Sequence, residues 1–237
     1  MKKLLLAALL LWGIGNLHAQ KKTVEKTLTV PASQKVNLNL KFANDIKITA
    51  WDKKEAYIKV TYEINGGKGN EAMKITFTPS ADQLSILTDL DHEYLKTQAS
   101  TENDCPDGYS QTSGTYIKGK AARFTCTRID YEIFLPRQAN VTLETINGDI
   151  ELRGFTGPVK AKSISGFVDM DWPTQKGASV ALKTITGEVF TDLALQFPAG
   201  KKEMSMIGHQ LNGSLNKGGA AIQLESISNN IYLRKKK

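Results

Sequence analysis

The sequence predicts an all-β protein built as a parallel β-solenoid, a right-handed single-stranded β-helix capped at its amino end by irregular strands. Three observations carry that expectation. First, VTLETINGDIEL at Val141–Leu152 recurs as VKAKSISGFVDM from Val159, VALKTITGEVFT from Val180 and IQLESISNNIYL from Ile222. A worn fifth copy, MIGHQLNGSLNK, runs from Met206 to Lys217, and the copies start 18, 21, 26 and 16 residues apart (159−141, 180−159, 206−180, 222−206). Self-similarity at roughly 20 residues is the sequence form of a stacked-coil architecture.

Second, Val141 and Leu143 alternate with Thr142 and Glu144, the period of a strand with one buried face. At Ile146 the parity slips by one, and Ile150 and Leu152 follow the new parity. Both halves can face one interior only if the chain bends between them. Third, that bend carries a small residue in each copy: Gly148, Gly166, Gly187, Gly213 and finally Asn229. Glycine, and next asparagine, tolerates the left-handed backbone that a sharp corner requires. Helical repeats are excluded by the β-branched content, and the leucine-rich pattern is absent.

Residues 1–19 read as a signal peptide. Lys2 and Lys3 precede the apolar run Leu4–Ile14, and a short polar stretch ends at His18-Ala19, after which cleavage is expected. No cysteine follows that point as a lipid anchor, and no other stretch nears the roughly 18 apolar residues of a membrane span. The chain is therefore expected to be exported, to the periplasm or the cell surface, with no transmembrane segment.

Residues 20–135 form an amino-terminal β region, and residues 136–237 the repeat array, or the two make one continuous domain 20–237. Strands are predicted at Thr23–Val30, Val36–Phe42, Ala56–Ile64, Met73–Thr78, Gln83–Thr88 and Arg128–Leu135. Phe42–Ile48 repeats the corner pattern with Asn44 in the place of the glycine. The Ala56 and Met73 strands, joined by the glycine-rich Asn65–Asn70, predict a hairpin or a long-looped edge. From 89 to 119 the apolar period fails, which marks either a functional insertion or a disordered one. Cys105 and Cys126 flank its end, and oxidation to a disulfide is the default for an exported chain. In the array the connectors are Gly- and Pro-rich turns, and Phe155, Trp172 and Phe197 are expected to fold back onto the coils as plugs, with use as ligand platforms the rival reading.

The formal charge of +7 falls to +5 without the two leader lysines, 29 basic against 24 acidic residues. Part of the excess sits at Arg234-Lys235-Lys236-Lys237, expected to be a solvated end that discourages further strands from adding, with attraction to an anionic lipid or glycan as the rival reading. No basic motif points to nucleic acid.

Catalytic chemistry is poorly represented. His92 and His209 sit in no motif, and nucleophile elbows, zinc-protease helices and phosphate loops are missing. The sequence therefore implies no cofactor, no metal and no catalytic residue. Asp149, Glu151, Asp169, Asp171 and Glu188 fall on outward positions and read first as a solvated polar face. The rival is a glycan-acting enzyme using them as an acidic face. The fourth repeat position reads Glu144, Lys162, Lys183, His209, Glu225, a charge ladder that helps register. Beyond the corner, Phe167, Phe190 and Tyr232 point outward beside the acids. Exposed aromatics on such a face are candidate contacts for a glycan or a protein, unless the 89–119 segment or the amino-terminal strands cover them.

The T-I-N-G-D-I and S-I-S-G-F-V corners, the lead-in YEIFLPRQANVTLETINGDIEL and the closing GGAAIQLESISNNIYL together resemble the "putative adhesin" family of exported bacterial β-strand-repeat proteins, domain of unknown function 4097. The resemblance covers Phe124–Leu233 well and Leu38–Val60 loosely. It implies a parallel β-solenoid without established enzymatic activity, and roles in cell-surface adhesion or envelope-stress sensing. The expected function is thus non-enzymatic: an exported envelope module that binds a cell-envelope glycan or a surface protein. Self-association through edge strands is a third reading.

Overall fold

The computed structural model describes residues 21–98, 105, 108–117, 120–197 and 209–236. The expected signal peptide lies outside them. The fold is all-β, with two mixed sheets around one apolar core. In the amino-terminal half the strands are β1 (Lys22–Thr29), β2 (Lys35–Leu40), β3 (Asp45–Trp51), β4 (Glu55–Ile64), β5 (Met73–Pro79) and β6 (Leu84–Leu90). A short helix α1 (His92–Thr97) follows, then β7 (Ser110–Ile117) and the long β8 (Lys120–Pro136). The array supplies β9 (Asn140–Thr145) with β10 (Asp149–Arg153), β11 (Val159–Ser163) with β12 (Val168–Trp172), and β13 (Ala178–Thr184) with β14 (Val189–Thr191). β15 (His209–Leu215), β16 (Ala220–Ser226) and β17 (Ile231–Lys235) complete it.

One sheet runs β15-β13-β16-β11-β9-β2-β6-β5, and the other β1-β4-β8-β3-β10-β12-β17-β14, with β7 paired to β8. Each of the four clear copies is therefore one rung. Its first half lies in one sheet, its corner crosses, and its second half lies in the other. Register follows the sequence alignment: Val141, Val159, Ile222 and Val180 stand in line, as do Ile150, Val168, Ile231 and Val189. All are buried except the partly exposed Val189. An earlier rung, β2 with β3, continues the stack, with Val36 beside Val141 and Ile46 beside Ile150. Asn44 takes the corner position there, as expected, and its carbonyl accepts the Asp149 N–H at 2.9 Å.

The rungs do not stack in chain order. β16 and β17 pair on one side with β11 and β12 and on the other with β13 and β14, all parallel. The copy that comes last in sequence is thus inserted between the second and the third. The fifth copy is not a rung: β15 runs antiparallel to β13 and closes that sheet, with Gly213 mid-strand opposite Val180 instead of at a corner.

At the corners, hydroxyls tie the rungs together. Ser163 accepts from the Gly166 N–H at 2.8 Å and donates to the Gly148 carbonyl at 3.0 Å. Ser226 accepts from the Asn229 N–H at 3.1 Å and donates to the Gly166 carbonyl at 2.8 Å. Thr184 accepts from the Gly187 N–H at 3.1 Å and donates to the Asn229 carbonyl at 2.8 Å. This ladder traces the same spatial order, 148, 166, 229, 187. Of the corner glycines only Gly148 has the left-handed backbone, at φ +116°. Gly166 is required for another reason: a Cβ there would collide with the Gly148 carbonyl of the next rung.

Other expectations change. β4 and β5 are not a hairpin, since they lie in different sheets and their connector crosses between them. The 89–119 stretch is partly ordered: Asp91 caps α1 by accepting the Tyr94 N–H at 3.0 Å, and β7 folds back on β8. Cys105 and Cys126 form the expected disulfide. Phe155 and Trp172 are fully buried plugs, whereas Phe197 is 55% exposed. Arg234 and Lys235 are exposed, as expected of a solvated end, but they extend β17 along β12 instead of guarding an edge of the stack.

Candidate functional site

Outward residues of the β4-to-β14 sheet form one in-register column. From the amino-terminal side it reads Lys59, Glu132, Lys47, Glu151, Asp169, Tyr232, Phe190. Charge alternates through its first part, with Lys59 at 3.6 Å from Glu132 and Lys47 at 4.0 Å from Glu151. Glu151 and Asp169 would then repel each other on adjacent strands. Arg153 sits between them, donating to Glu151 at 3.2 Å and to both Asp169 oxygens at 2.9 and 3.1 Å. Burial works against its charge, but the carboxylates of Asp169, Glu151 and Asp171 outweigh it and raise its pKa. Asp169 also meets Arg234 at 3.1 Å.

Beyond Asp169 the column turns aromatic. The β12–β17 and β17–β14 pairings set Tyr232 beside Phe190, their rings stacked at 5.2 Å and 12°. Phe167, just before β12, meets Tyr232 edge-on at 6.2 Å and 82°. The Arg234 guanidinium lies 4.8 Å from the Tyr232 ring centre, and Asn230 donates to the Tyr232 hydroxyl at 3.1 Å. Arg234 is thereby held between a carboxylate and a ring. Phe190 is 43% exposed, and Phe167 and Tyr232 are half-buried. The structure thus brings together all three aromatics singled out from sequence. Among the described residues, neither the 89–119 segment nor the amino-terminal strands cover Phe190.

The acids have partners. Asp149 accepts the Phe167 N–H at 3.0 Å, and Asp171 accepts the Gly154 N–H at 2.6 Å. Partial burial, then the neighbouring Asp45 and Glu151 charges, raise the Asp149 carboxyl above its ordinary value of 3.8 despite that hydrogen bond. Glu188 is exposed on the loop before β14. Among the described residues no group of three His, Cys, Asp or Glu side chains is placed to hold a metal ion. No helix among them is long and apolar enough to cross a membrane.

On the other sheet, the predicted charge ladder is completed by the rung order. Its spatial sequence is Glu144, Lys162, Glu225, Lys183, with Glu225 at 3.5 Å from Lys162 and 3.9 Å from Lys183. His209 drops out, since its backbone faces Thr184. Sequence reasoning missed Arg153 and Arg234 as neutralising partners. The signal was available: each lies two residues beyond an outward position of its own strand, so both point the same way as the acids.

No family model matches the chain, so the resemblance to domain of unknown function 4097 gains no support there. No curated protein matches it either. Among solved structures it is similar to a "putative cell adhesion protein" from Clostridium sporogenes, at 13% identity over 91% of this chain and 100% of that one, TM-score 0.48. A "putative adhesin" from Bacteroides fragilis is 11% identical over 92% and 98% of the two chains, TM-score 0.27. A "putative lipid binding protein" from Parabacteroides distasonis is 10% identical over 92% and 97%, TM-score 0.23. At such identities and TM-scores the likeness bears on neither ligand nor mechanism.

Proposed function

We propose that the protein is a non-enzymatic, exported cell-envelope module that holds an envelope glycan or a surface protein against Phe167, Tyr232 and Phe190. In this reading residues 20–237 act as one continuous solenoid-like unit, and export rests on the character of residues 1–19. The observation that carries it is the ladder itself: three aromatics from three strand segments, ordered by stacking and by Arg234, with Phe190 exposed and the other two half-buried. Ordered, exposed rings beside an arginine are the composition of a recognition hot spot. The glycan-cleaving alternative fares worse. Hydrolysis needs two free carboxyls flanking a bond, and here Glu151 and Asp169 are spent on Arg153 while Asp149 and Asp171 hold backbone amides.

The test is an array of glycans and envelope components probed with the purified protein, scoring retention and product release together. Retention without product is expected. Phe190→Ala and Tyr232→Ala should each weaken it about tenfold or more, as hot-spot truncations do. Product release, or retention indifferent to both variants, overturns the proposal.

A further inference from the structure

The opposite sheet carries a second concavity, remote in sequence register from the aromatic ladder. It crosses β15, β13 and β16 with a volume of about 620 Å³, a size typical of small-molecule sites. Its floor is low because the outward residues Ala181 and Ala221 are small, and the amides of Gln196, Asn212 and Gln223 stand around it with the Phe197 ring. Gly213 makes room for that ring: a Cβ there would lie 3.2 and 3.3 Å from two Phe197 ring carbons. The sequence reads Phe197 as a plug or a ligand platform and Gly213 as a corner; the structure leaves Phe197 exposed and sets Gly213 mid-strand beside it.

We propose that this trough binds a neutral saccharide. Three features select that chemistry. Among the described residues no charged side chain lines the trough, which leaves a phosphate, a sulfate or an acidic sugar without a counter-charge from them. Gln196, Asn212 and Gln223 each offer a side-chain carbonyl and an NH₂ group, and none uses them on another described residue. Paired donors and acceptors of this kind match sugar hydroxyls, which donate and accept at once. The 55% exposed Phe197 ring offers an apolar face for the C–H side of a pyranose. A peptide adding as a strand beside the trough would have to displace Gln196, which occupies the β15 edge at Ser214 by exchanging backbone hydrogen bonds at 2.8 and 2.9 Å.

The experiment is an amide NMR titration of the full chain with cellotriose, maltotriose and chitotriose, alongside a sulfated disaccharide and an uncharged peptide. At least one neutral trisaccharide should shift the Ala181, Asn212 and Gln223 amides. Gln223→Ala and Phe197→Ala should each raise its Kd about tenfold, whereas Lys26→Ala, an exposed position of β1 on the other sheet, should leave it unchanged. Gln223 is exposed, so that variant folds even if Phe197→Ala does not. The proposal is overturned if no neutral sugar shifts these amides at about 10 mM. It is equally overturned if the shifts survive Gln223→Ala, if the sugars shift the Phe190 and Tyr232 amides and not these, or if only the sulfated sugar or the peptide binds.

Discussion

At Gly166 the missing side chain is a packing requirement. The corner of one rung lies so close to the next that even a methyl group meets the Gly148 carbonyl. Gly166→Ala should therefore destabilise by more than about 3 kcal/mol, in the range of severe steric insertions, as read by urea unfolding. Ser163 makes the complementary case. Ser163→Ala leaves a buried N–H and a carbonyl without their partner, which costs about 1 to 3 kcal/mol. Ser163→Thr should be far milder, since Thr184 does the same work one copy away. Asp149 gives a pH test. A carboxyl whose pKa is raised by folding is penalised when ionised, so the penalty is absent below the ordinary aspartate value and appears as pH rises through it. Asp149→Asn should accordingly be more stable than wild type at pH 7 and no more stable near pH 3, measured by thermal unfolding across that range.

The rung is the unit that the sequence declared most openly. Alternation, the parity slip at Ile146 and the corner residue gave its two halves and its bend, because each follows from local sterics and one buried face. Pairing between rungs was less legible, since every copy presents nearly the same edge to its neighbours. One clue was there. In chain order the outward ladder places Lys162 beside Lys183, a repulsive neighbour pair. Inserting Glu225 between them makes the charges alternate, which is the order found. Glu225→Lys would put three lysines in a row on adjacent strands, and a loss of about 1 to 2 kcal/mol is expected. Added salt should recover part of it, because a repulsion near the surface is screened. If the loss is independent of salt, the ladder is not electrostatic. The 89–119 stretch was illegible for a different reason: β7 is polar and is held by backbone pairing to β8, which leaves no apolar period to read.

At the scale of the whole molecule, the amino-terminal region and the array are parts of the same two sheets, with β2 against β9 and β3 against β10. The aromatic ladder exists only because the rungs interleave, since Tyr232 must lie between the β12 and β14 strands to meet both Phe167 and Phe190. Ending the chain after Gly219 tests that interleaving. In a consecutive stack, loss of the last copy would leave the earlier rungs intact. Here it removes the strands between β11–β12 and β13–β14, so hydrogen exchange should show protection lost over 189–191, the β14 stretch paired to β17, while 140–153 stays protected. Retained protection over 189–191 would mean that the rungs pair in chain order.

The interleaving also sets a clock. During synthesis β13 and β14 are complete before β16 and β17 exist, and the 44 residues from Thr191 to Lys235 (235−191) take about 2 to 9 s at 5–20 residues per second. Throughout that interval, edges of the β11–β12 and β13–β14 rungs must wait unpaired, the condition in which strands recruit wrong partners. A nascent chain halted in that window should therefore aggregate or bind a chaperone more readily than one halted at Pro158, before the gap has opened.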